Sequence, residues 1–421
     1  MTTPSHPDVL RADRWHRMAA AAGLVRADGS VGETIFGQMT KLAADHGALN
    51  LGQGAPGTDT PEFLVSAVTE AMAQGFNQYA PGQGHPVLLD AVVEQRGRVH
   101  GQHVTRDHVL VTVGATEALT AAVLALVPPG GTVLLFEPFY DGYPAATAAA
   151  GADVVTVPLQ PADDGTGFTP DWEVFDAHVA AGIDLVVVNS PHNPTGTVFS
   201  PETLLRIHAA VVSADAWLVT DEVYEYLTFD DVRHRPVATL VDDPARIVSV
   251  SSAGKTFNAT GWKVGWLVAE PEVREAIQAV KQFLTFTASG PFQPAVARAL
   301  TEHDAFGWEN RDSLAARRDV LLAALRDLPG VEVHAPAAGY FTLVDFAALT
   351  DARAFTLNER LTREYGFTGI PVAGLCRPGS ETAAYFDRTI RYSFCKGPAD
   401  VDLAAERIRG LAEDLRSGLR L

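Results

Sequence analysis

The stretch HVLVTVGATEAL, residues 108–119, decides the fold because its hydrophobic pattern changes type within a few residues. Its first half is a short β-branched apolar run of the kind that forms a buried strand. Its second half begins an alanine- and leucine-rich segment that favours a helix. A strand that passes through a small-residue turn at Gly114 straight into a helix is the opening of a βαβ unit.

The same alternation continues from about residue 60 to residue 300. Short apolar strands between amphipathic helices predict a mostly parallel, buried sheet, and such sheets bind ligands beyond the carboxyl ends of their strands. The predicted strands are HVLVTVG, TVLLFEP, DVVTVPL, DLVVVNS, AWLVTDE and RIVSVSS, and the predicted helices include PEFLVSAVTEAMAQG, PVLLDAVVEQRGRVHG and TEALTAAVLALV.

The pattern changes after about residue 300. A long helical segment, RDSLAARRDVLLAALRDL, precedes the short strands GYFTLVDF and TIRYSF and a closing helix, which predicts a smaller α+β domain. The helix ETIFGQMTKLAADHG near the N-terminus is expected to pack on that domain. We therefore predict an N-terminal arm and part of the small domain over residues 1–55, a large domain over 56–300 and a C-terminal small domain over 301–421.

Composition excludes several classes of protein. Thirty-two basic against 51 acidic residues give a net charge of −19, which argues against a nucleic-acid or anionic-membrane binder. The two cysteines, Cys376 and Cys395, are too few for a disulfide framework and favour a reducing compartment. The N-terminus has no apolar signal segment, and the longest apolar run is too short to span a bilayer. We predict a cytoplasmic protein without a metal site.

Two phosphate-binding motifs are matched only superficially. The segment Gly52-Gln-Gly-Ala-Pro-Gly57 has the G-x-G-x-x-G pattern, but it contains a proline and no acidic residue follows at the spacing of a dinucleotide site. The segment Ala253-Gly-Lys-Thr256 resembles the end of a P-loop, yet Ser249 occupies the place of its first glycine. Neither motif is typical of a nucleotide-binding protein.

The residues that follow the predicted strands fit a cofactor with a phosphate, an aldehyde and a pyridine nitrogen. Lys255 offers an amine for a Schiff base, and Asp221 offers a carboxylate that keeps a pyridine nitrogen protonated. A helix N-terminus binds anions, so the turn after the first strand is expected to hold the phosphate. The candidate phosphate ligands are Gly114, Ala115, Thr116, Ser252 and Lys263, and Tyr140 is placed to stack on the ring.

At these residues the sequence resembles the fold-type I, pyridoxal-phosphate-dependent class I/II aminotransferases. It is most similar to the group with kynurenine aminotransferase/glutamine transaminase K and the bacterial succinyldiaminopimelate aminotransferases. The resemblance runs from about Thr34 to the end and implies a large domain with a mostly parallel seven-stranded sheet. The motifs that carry it are NLGQGAP, NQYAPGQGHP, VTVGATEAL, EPFYDGY, NSPHNPTG, TDEVYE, SSAGKTFNATGWKVGW and IRYSFCK.

The resemblance implies a role for each matching residue. Lys255, Asp221 and Tyr224 are the expected catalytic residues, with Lys255 bound to the cofactor aldehyde and Asp221 paired with the pyridine nitrogen. Arg391 is expected to grip the substrate carboxylate in a fork. Tyr79 and Phe286 are expected to reach the neighbouring subunit's site, which implies a homodimer. The cofactor ligands further include Asn193, Tyr140, Tyr79 and the phosphate residues named above, and the substrate ligands include Gly54, Asn193, Phe36 and Phe286.

Three departures bear on the substrate. Ala55 replaces the phenylalanine of many relatives, Thr116 replaces an aromatic residue of some, and Lys263 replaces a common arginine. The smaller groups at positions 55 and 116 would loosen the pocket, which weakens a strictly aromatic substrate assignment and leaves room for a longer polar substrate. The expected reaction is ping-pong transfer of an amino group to a 2-oxo acid such as 2-oxoglutarate, from N-succinyl-diaminopimelate, kynurenine, glutamine, methionine or an aromatic amino acid. Cysteine-conjugate β-lyase activity and a non-catalytic regulator are the alternatives.

Overall fold

The structure is a computed structural model of the 421-residue chain. It describes residues 14–421 except residues 27, 163, 164 and 166. The first part of the predicted N-terminal arm, residues 1–13, lies outside the described residues. None of the described helices is both long and apolar enough to cross a membrane.

The strands and helices follow the predicted alternation. The strands are β1 (Leu49–Asn50), β2 (Val109–Thr112), β3 (Thr132–Glu137), β4 (Asp153–Pro161), β5 (Phe168–Pro170), β6 (Leu185–Asn189), β7 (Trp217–Asp221), β8 (Ile247–Ser252), β9 (Gly265–Val268), β10 (Glu332–His334), β11 (Phe341–Asp345), β12 (Phe367–Thr368), β13 (Ile370–Pro371) and β14 (Thr389–Ser393). The helices are α1 (Arg14–Ala21), α2 (Ile35–His46), α3 (Glu62–Ala73), α4 (Pro86–His100), α5 (Gly114–Leu126), α6 (Gly142–Ala150), α7 (Trp172–Ala181), α8 (Pro201–Ser213), α9 (Ala253–Thr256), α10 (Pro271–Lys281), α11 (Phe292–Glu302), α12 (Ala305–Arg326), α13 (Ala354–Tyr365), α14 (Glu381–Tyr385) and α15 (Pro398–Arg416).

The larger sheet has the order β2-β9-β8-β7-β6-β3-β4-β5. Its centre, β8-β7-β6-β3-β4, is parallel, whereas β9 runs antiparallel to both of its neighbours and β5 is antiparallel to β4. Because β9 is antiparallel to both β2 and β8, these two strands run in the same direction. The mostly parallel sheet is as predicted, with the three-residue edge strand β5 added to the expected seven.

Buried apolar residues explain why the central strands form. Every residue of β6 is buried, and β2 is buried along its whole length, as expected for strands covered by helices on both faces. Helix α5 packs against this sheet through alanines, of which Ala118, Ala121 and Ala122 are fully buried. Their small side chains let the helix lie close to the strands, so the N-terminus of α5 stands directly at the carboxyl edge of the sheet.

A second sheet is formed by the C-terminal part of the chain. It has the order β10-β11-β14-β13 and is antiparallel throughout, with α12 and α15 packed together beside it. The N-terminal segment joins this part of the molecule, because β1 pairs in parallel with β12. This arrangement is compatible with the predicted small domain, whose boundaries at residues 55 and 300 stay a prediction. Residue 300 lies inside α11.

Candidate active site

A cavity of about 190 Å³ lies beyond the carboxyl ends of the parallel strands. The strands β2, β3, β6, β7 and β8 each end at this edge, and the residues that follow them line the cavity. Ten of the predicted site residues share this lining: Gly114, Ala115, Thr116, Tyr140, Asn193, Asp221, Tyr224, Ser252, Lys255 and Lys263. The strand ends therefore bring together residues that are up to 149 positions apart in the sequence, as Gly114 and Lys263 are.

Asp221, the last residue of β7, is a buried carboxylate. Its Oδ2 accepts a hydrogen bond from the Tyr143 hydroxyl at 2.7 Å, and its Oδ1 accepts one from the Val223 amide at 3.3 Å. Burial raises the pKa of Asp221 to about 6, although these hydrogen bonds and the nearby Lys255 oppose the increase. A buried carboxylate with a raised pKa gains stability when a cationic partner is placed beside it.

Lys255 lies in the short helix α9, directly after β8. Its Nζ is 3.5 Å from the Gly54 carbonyl oxygen, 5.6 Å from the Tyr224 ring centroid and 5.3 Å from the Tyr340 ring centroid. Burial lowers the pKa of this amine, which is partly countered by the Cys395 and Asp221 groups. A lowered pKa increases the share of neutral amine, the form that acts as a nucleophile or base.

The predicted phosphate ligands form one concave surface at the N-terminus of α5. Gly114 has a φ of +72°, and a Cβ built on it would stand 3.1 Å from the Lys263 Nζ. Lys263 itself has a left-handed backbone, with a φ of +54°. The Ser252 hydroxyl lines the same wall and accepts a hydrogen bond from the Gly254 amide at 3.1 Å. A helix N-terminus, an ammonium and a hydroxyl are the groups that a phosphate requires.

Arg391 lies on β14 and is 1% exposed. Its Nη1 donates to the Asn193 Oδ1 at 2.8 Å, and its Nη2 donates to the Gly52 carbonyl oxygen at 2.5 Å. The Nε is buried without a partner. Burial lowers the pKa of Arg391 to about 10, so the guanidinium is still a cation at neutral pH. An unused buried N–H on a cation is a site for an anionic ligand.

The remaining predicted substrate ligands divide into two groups. The Phe36 ring lies 5.3 Å from the Arg391 guanidinium carbon, and the Gly54 backbone lies against Phe341, so both are near the carboxylate end of the site. Tyr79 and Phe286 do not line the cavity of their own chain. Their rings contact each other at 5.5 Å, and they are 84% and 38% exposed. Their place in a partner's site stays a prediction.

The sequence reasoning missed two residues that hold this site together. Tyr143, the second residue of α6, was not predicted to contact Asp221. Burial and the Asp221 carboxylate raise the pKa of this phenol well above its usual value, so it stays a hydrogen-bond donor. Asn189, at the end of β6, donates to the Asp221 carbonyl oxygen at 3.0 Å and accepts from the Asn193 amide at 2.7 Å. The one feature of the sequence that could have identified Asn189 is its position at the end of a predicted strand.

A buried ionic network lies behind the cavity. Arg96 of α4 is paired through Nη1 with Glu222 at 3.1 Å and Glu225 at 3.3 Å. The His100 Nε2 lies 2.6 Å from the Oε2 of Glu225. The other carboxylate oxygen of Glu225 accepts a hydrogen bond from the Ser251 hydroxyl. Despite burial, the pKa of both glutamates is lowered, because Arg96 and the neighbouring histidines favour the charged form. The network joins the loop after Asp221 to the strand that precedes Lys255.

The donor set fits pyridoxal phosphate. An amine, a carboxylate and a phosphate-binding turn line one cavity, and the Gly114 backbone lies where a side chain would crowd Lys263. The Tyr140 ring lines the same cavity, and burial with the adjacent Asp141 raises the pKa of its phenol. These are the groups that the phosphate, the aldehyde and the pyridine ring of this cofactor require.

The family model for aminotransferases of class I and II matches residues 47–408. The chain therefore belongs to the class I and II aminotransferases. Members of this family are enzymes that transfer amino groups, and this chain is an aminotransferase with the fold-type I architecture. The resemblance stated from the motifs is confirmed.

Individual relatives match over most of their length. The chain is 43% identical over 385 residues to a probable N-succinyldiaminopimelate aminotransferase of Mycobacterium tuberculosis, covering 90% of this chain and 96% of that protein. It is 36% identical over 382 residues to the methionine aminotransferase of Escherichia coli, covering 90% and 96%. The solved structure of N-succinyldiaminopimelate aminotransferase from M. tuberculosis superposes with a TM-score of 0.85 at 42% identity, covering 90% of this chain and 97% of that one.

Proposed function

We propose that the chain uses pyridoxal phosphate to move an amino group from an L-amino acid to a 2-oxo acid. The observation that carries this proposal is the convergence of the Lys255 amine, the Asp221 carboxylate and the Arg391 guanidinium around one cavity edge. When bound, pyridoxal phosphate supplies an aldehyde that takes the amino group and a ring that withdraws electrons from the substrate's α-carbon. Gly114, Ala115, Thr116, Ser252 and Lys263 would hold its phosphate.

Lys255 is the proposed general base. Its buried amine has a lowered pKa, so it accepts a proton from the substrate's α-carbon at neutral pH more readily than an ordinary lysine. Asp221 would face the protonated ring nitrogen, and the Tyr143 hydroxyl fixes the orientation of its carboxylate. Tyr224 and Asn193 line the same cavity and are the proposed partners of the ring hydroxyl.

Arg391 is the proposed ligand of the substrate's α-carboxylate. The guanidinium is held by the Asn193 side chain and the Gly52 carbonyl, while its Nε has no partner. A carboxylate that binds in this space would accept from the free N–H and neutralise a fully buried cation. The Gly54 backbone and the Phe36 ring border this space, because the Gly54 carbonyl oxygen lies 3.5 Å from the Lys255 Nζ and the Phe36 ring centroid lies 5.3 Å from the Arg391 guanidinium carbon.

N-succinyl-diaminopimelate is the first proposed donor. The 43% identity to the probable N-succinyldiaminopimelate aminotransferase supports it, and so do the small residues Ala55 and Thr116. Methionine, kynurenine, glutamine and aromatic amino acids follow, and 2-oxoglutarate is the proposed acceptor. Because donor and acceptor use one site in turn, ping-pong kinetics are expected.

We further propose that the enzyme is a cytoplasmic homodimer that serves amino-acid biosynthesis. Two exposed aromatic rings, Tyr79 and Phe286, lie together on the surface of the chain. Large exposed apolar groups in contact with each other are typical of a surface that a partner covers. A second copy of the chain is the proposed partner.

A half-reaction screen tests this function. Each candidate donor is added to the cofactor-loaded protein without any 2-oxo acid, and the absorbance of the cofactor is followed. Rapid conversion to the aminated cofactor by one donor identifies the substrate. Pyruvate released from a cysteine conjugate, with no conversion by any donor, would replace transamination with β-elimination. A protein that shows no cofactor band after pyridoxal phosphate is added would refute the proposal.

A further inference from the structure

One side of the active site is bordered by backbone that has no helix or strand of its own. Residues 52–57 lie between β1 and α3. In this segment the Gly52 carbonyl oxygen accepts from the Arg391 Nη2 at 2.5 Å, and the Gly54 carbonyl oxygen lies 3.5 Å from the Lys255 Nζ. A segment without regular hydrogen bonding keeps one conformation only through the groups packed against it. The contacts of residues 52–57 therefore decide the shape of the carboxylate end of the site.

The segment rests on the residues that follow β14. The Gly57 amide donates to the Cys395 carbonyl oxygen at 2.8 Å, and the Cys395 Sγ lies 3.4 Å from the Ala55 carbonyl oxygen. A Cβ built on Gly57 would stand 2.1 Å from the Gly397 amide nitrogen, so the two stretches of backbone touch directly. The chain after β14 thus sets the position of the segment.

Arg317 on α12 holds the chain after β14. It is 5% exposed, and its Nη1 donates to the Lys396 carbonyl oxygen at 2.6 Å and to the Cys395 carbonyl oxygen at 3.3 Å. Its Nε donates to the Ser313 carbonyl oxygen at 3.2 Å, one turn earlier in the same helix. The guanidinium is thereby fixed on a 22-residue helix and binds two successive carbonyls of the chain after β14.

The surroundings of Arg317 are unusual for a buried cation. In the part of the chain that the structure describes, no acidic side chain is paired with it, whereas the adjacent Arg318 is paired with Asp230 and Asp319. Burial lowers the pKa of Arg317. A buried charge without a counter-charge opposes folding, and a hydrocarbon side chain would avoid this cost. The guanidinium supplies what a hydrocarbon lacks, namely donors that hold two carbonyls at once.

We propose that Arg317 is a positioning residue for binding of the donor's α-carboxylate, a role that rests on the function proposed above. Arg317 does not line the cavity, so it acts through other residues. It fixes the two carbonyls after β14, and these fix residues 52–57. That segment in turn holds the Arg391 guanidinium through the Gly52 carbonyl.

Substrate affinity should depend on Arg317, and cofactor affinity should not. Without the guanidinium, residues 52–57 would sample several conformations, and the substrate would bind only one of them, which raises KM. The proposed cofactor ligands stand on other supports, because Gly114 begins α5 and Asp221 ends β7 in the larger sheet. Their positions do not depend on the chain after β14.

Kinetics of four proteins test the proposal: the wild type, Arg317→Met, Arg317→Lys and the control Arg311→Met. Arg311 lies on the same helix, is partly exposed and is paired with Asp312. KM and kcat are measured at saturating 2-oxoglutarate for N-succinyl-diaminopimelate, or for the donor that the half-reaction screen identifies in its place. The dissociation constant of pyridoxal phosphate is measured beside them, together with amide hydrogen exchange of the cofactor-free protein. Circular dichroism establishes that each variant is folded.

Arg317→Met should raise KM for the donor by about tenfold or more, because both carbonyls lose a charged donor. The values of kcat and of the dissociation constant of pyridoxal phosphate should stay within about threefold of the wild type. Arg317→Lys should raise KM less, since an ammonium keeps the charge but lacks the planar fork. Exchange in residues 52–57 should accelerate in Arg317→Met and stay unchanged in the control.

An unchanged KM for folded Arg317→Met, in a wild type that transaminates, overturns this proposal and leaves the proposed function intact. Loss of cofactor affinity with an unchanged KM overturns it as well, because Arg317 would then support the fold and not the substrate end of the site. A wild type that transaminates no donor refutes the proposed function and, with it, any role in substrate binding. If Arg317→Met does not fold, Arg317→Lys decides, and an unchanged KM with unchanged exchange in that variant overturns the proposal equally.

Discussion

Replacing Arg96 with methionine should destabilise the protein more than any surface charge does. The guanidinium is 1% exposed and pairs with two carboxylates that are equally buried, Glu222 and Glu225. Its Nε also donates to the Gln102 side chain at 2.6 Å. Removal of one partner from a buried ion pair costs about 3 to 5 kcal/mol, because the remaining carboxylates are shielded from water and keep only the histidines His100 and His234 beside them. Methionine keeps most of the apolar contacts, so the loss is electrostatic.

Urea unfolding followed by circular dichroism measures this loss. The control is Arg298→Met, at a half-exposed arginine paired with Glu70 and Glu302, which should cost less than about 1 kcal/mol. Without Arg96 the pKa values of Glu222 and Glu225 rise in the folded state, so the variant should recover stability relative to the wild type as the pH falls towards about 5. A loss below about 1 kcal/mol, or one independent of pH, would refute the reasoning.

Three further predictions concern the cavity. Lys255→Ala should abolish turnover while circular dichroism shows an intact fold; normal turnover would remove Lys255 from the mechanism. For the cofactor-free protein, Asp221→Asn should be more stable than the wild type above pH 6 by on the order of 3 kcal/mol, because the raised pKa of about 6 marks an unfavourable charge. This advantage should fade between about pH 6 and pH 4, and an advantage that persists at pH 4 would contradict it. Arg391→Lys should raise KM for the donor by about tenfold to a hundredfold with a smaller change in kcat, since lysine lacks the fork; an unchanged KM would place the carboxylate elsewhere.

The positions of the cavity residues could be predicted because each follows a buried strand. The runs before Gly114, Asn193, Asp221 and Lys255 are short, β-branched and apolar, and parallel strands end at one edge. Local sequence was therefore enough to place these residues near one another. The role of Arg391 was different, because its strand belongs to the second sheet and only the order of family motifs brought it to the site.

Contacts between distant helices could not be predicted from local patterns. Arg96 lies in a segment, EQRGRVH, that reads as the polar end of an amphipathic helix, yet it is buried. Its burial depends on the ion pairs with Glu222 and Glu225, which lie more than a hundred residues further along the chain. Strand β9 was likewise missed, because its four residues, GWLV, follow the lysine-rich loop without a break in composition. The tertiary packing that brings these segments together cannot be recognised from the sequence of either segment alone.

The pairing of β1 with β12 has a consequence for synthesis on the ribosome. Leu49 is matched with Phe367, a separation of 318 residues (367 minus 49), and the Gly52 carbonyl receives its hydrogen bond from Arg391. At roughly 5 to 20 residues per second, the N-terminal segment waits on the order of 15 to 60 s before its partner strand is translated. During that interval the central strands already have their neighbours, whereas Gly52 and Gly54 have none from the C-terminal sheet. The carboxylate end of the cavity is therefore assembled only after most of the chain has been translated, well after the central strands have paired.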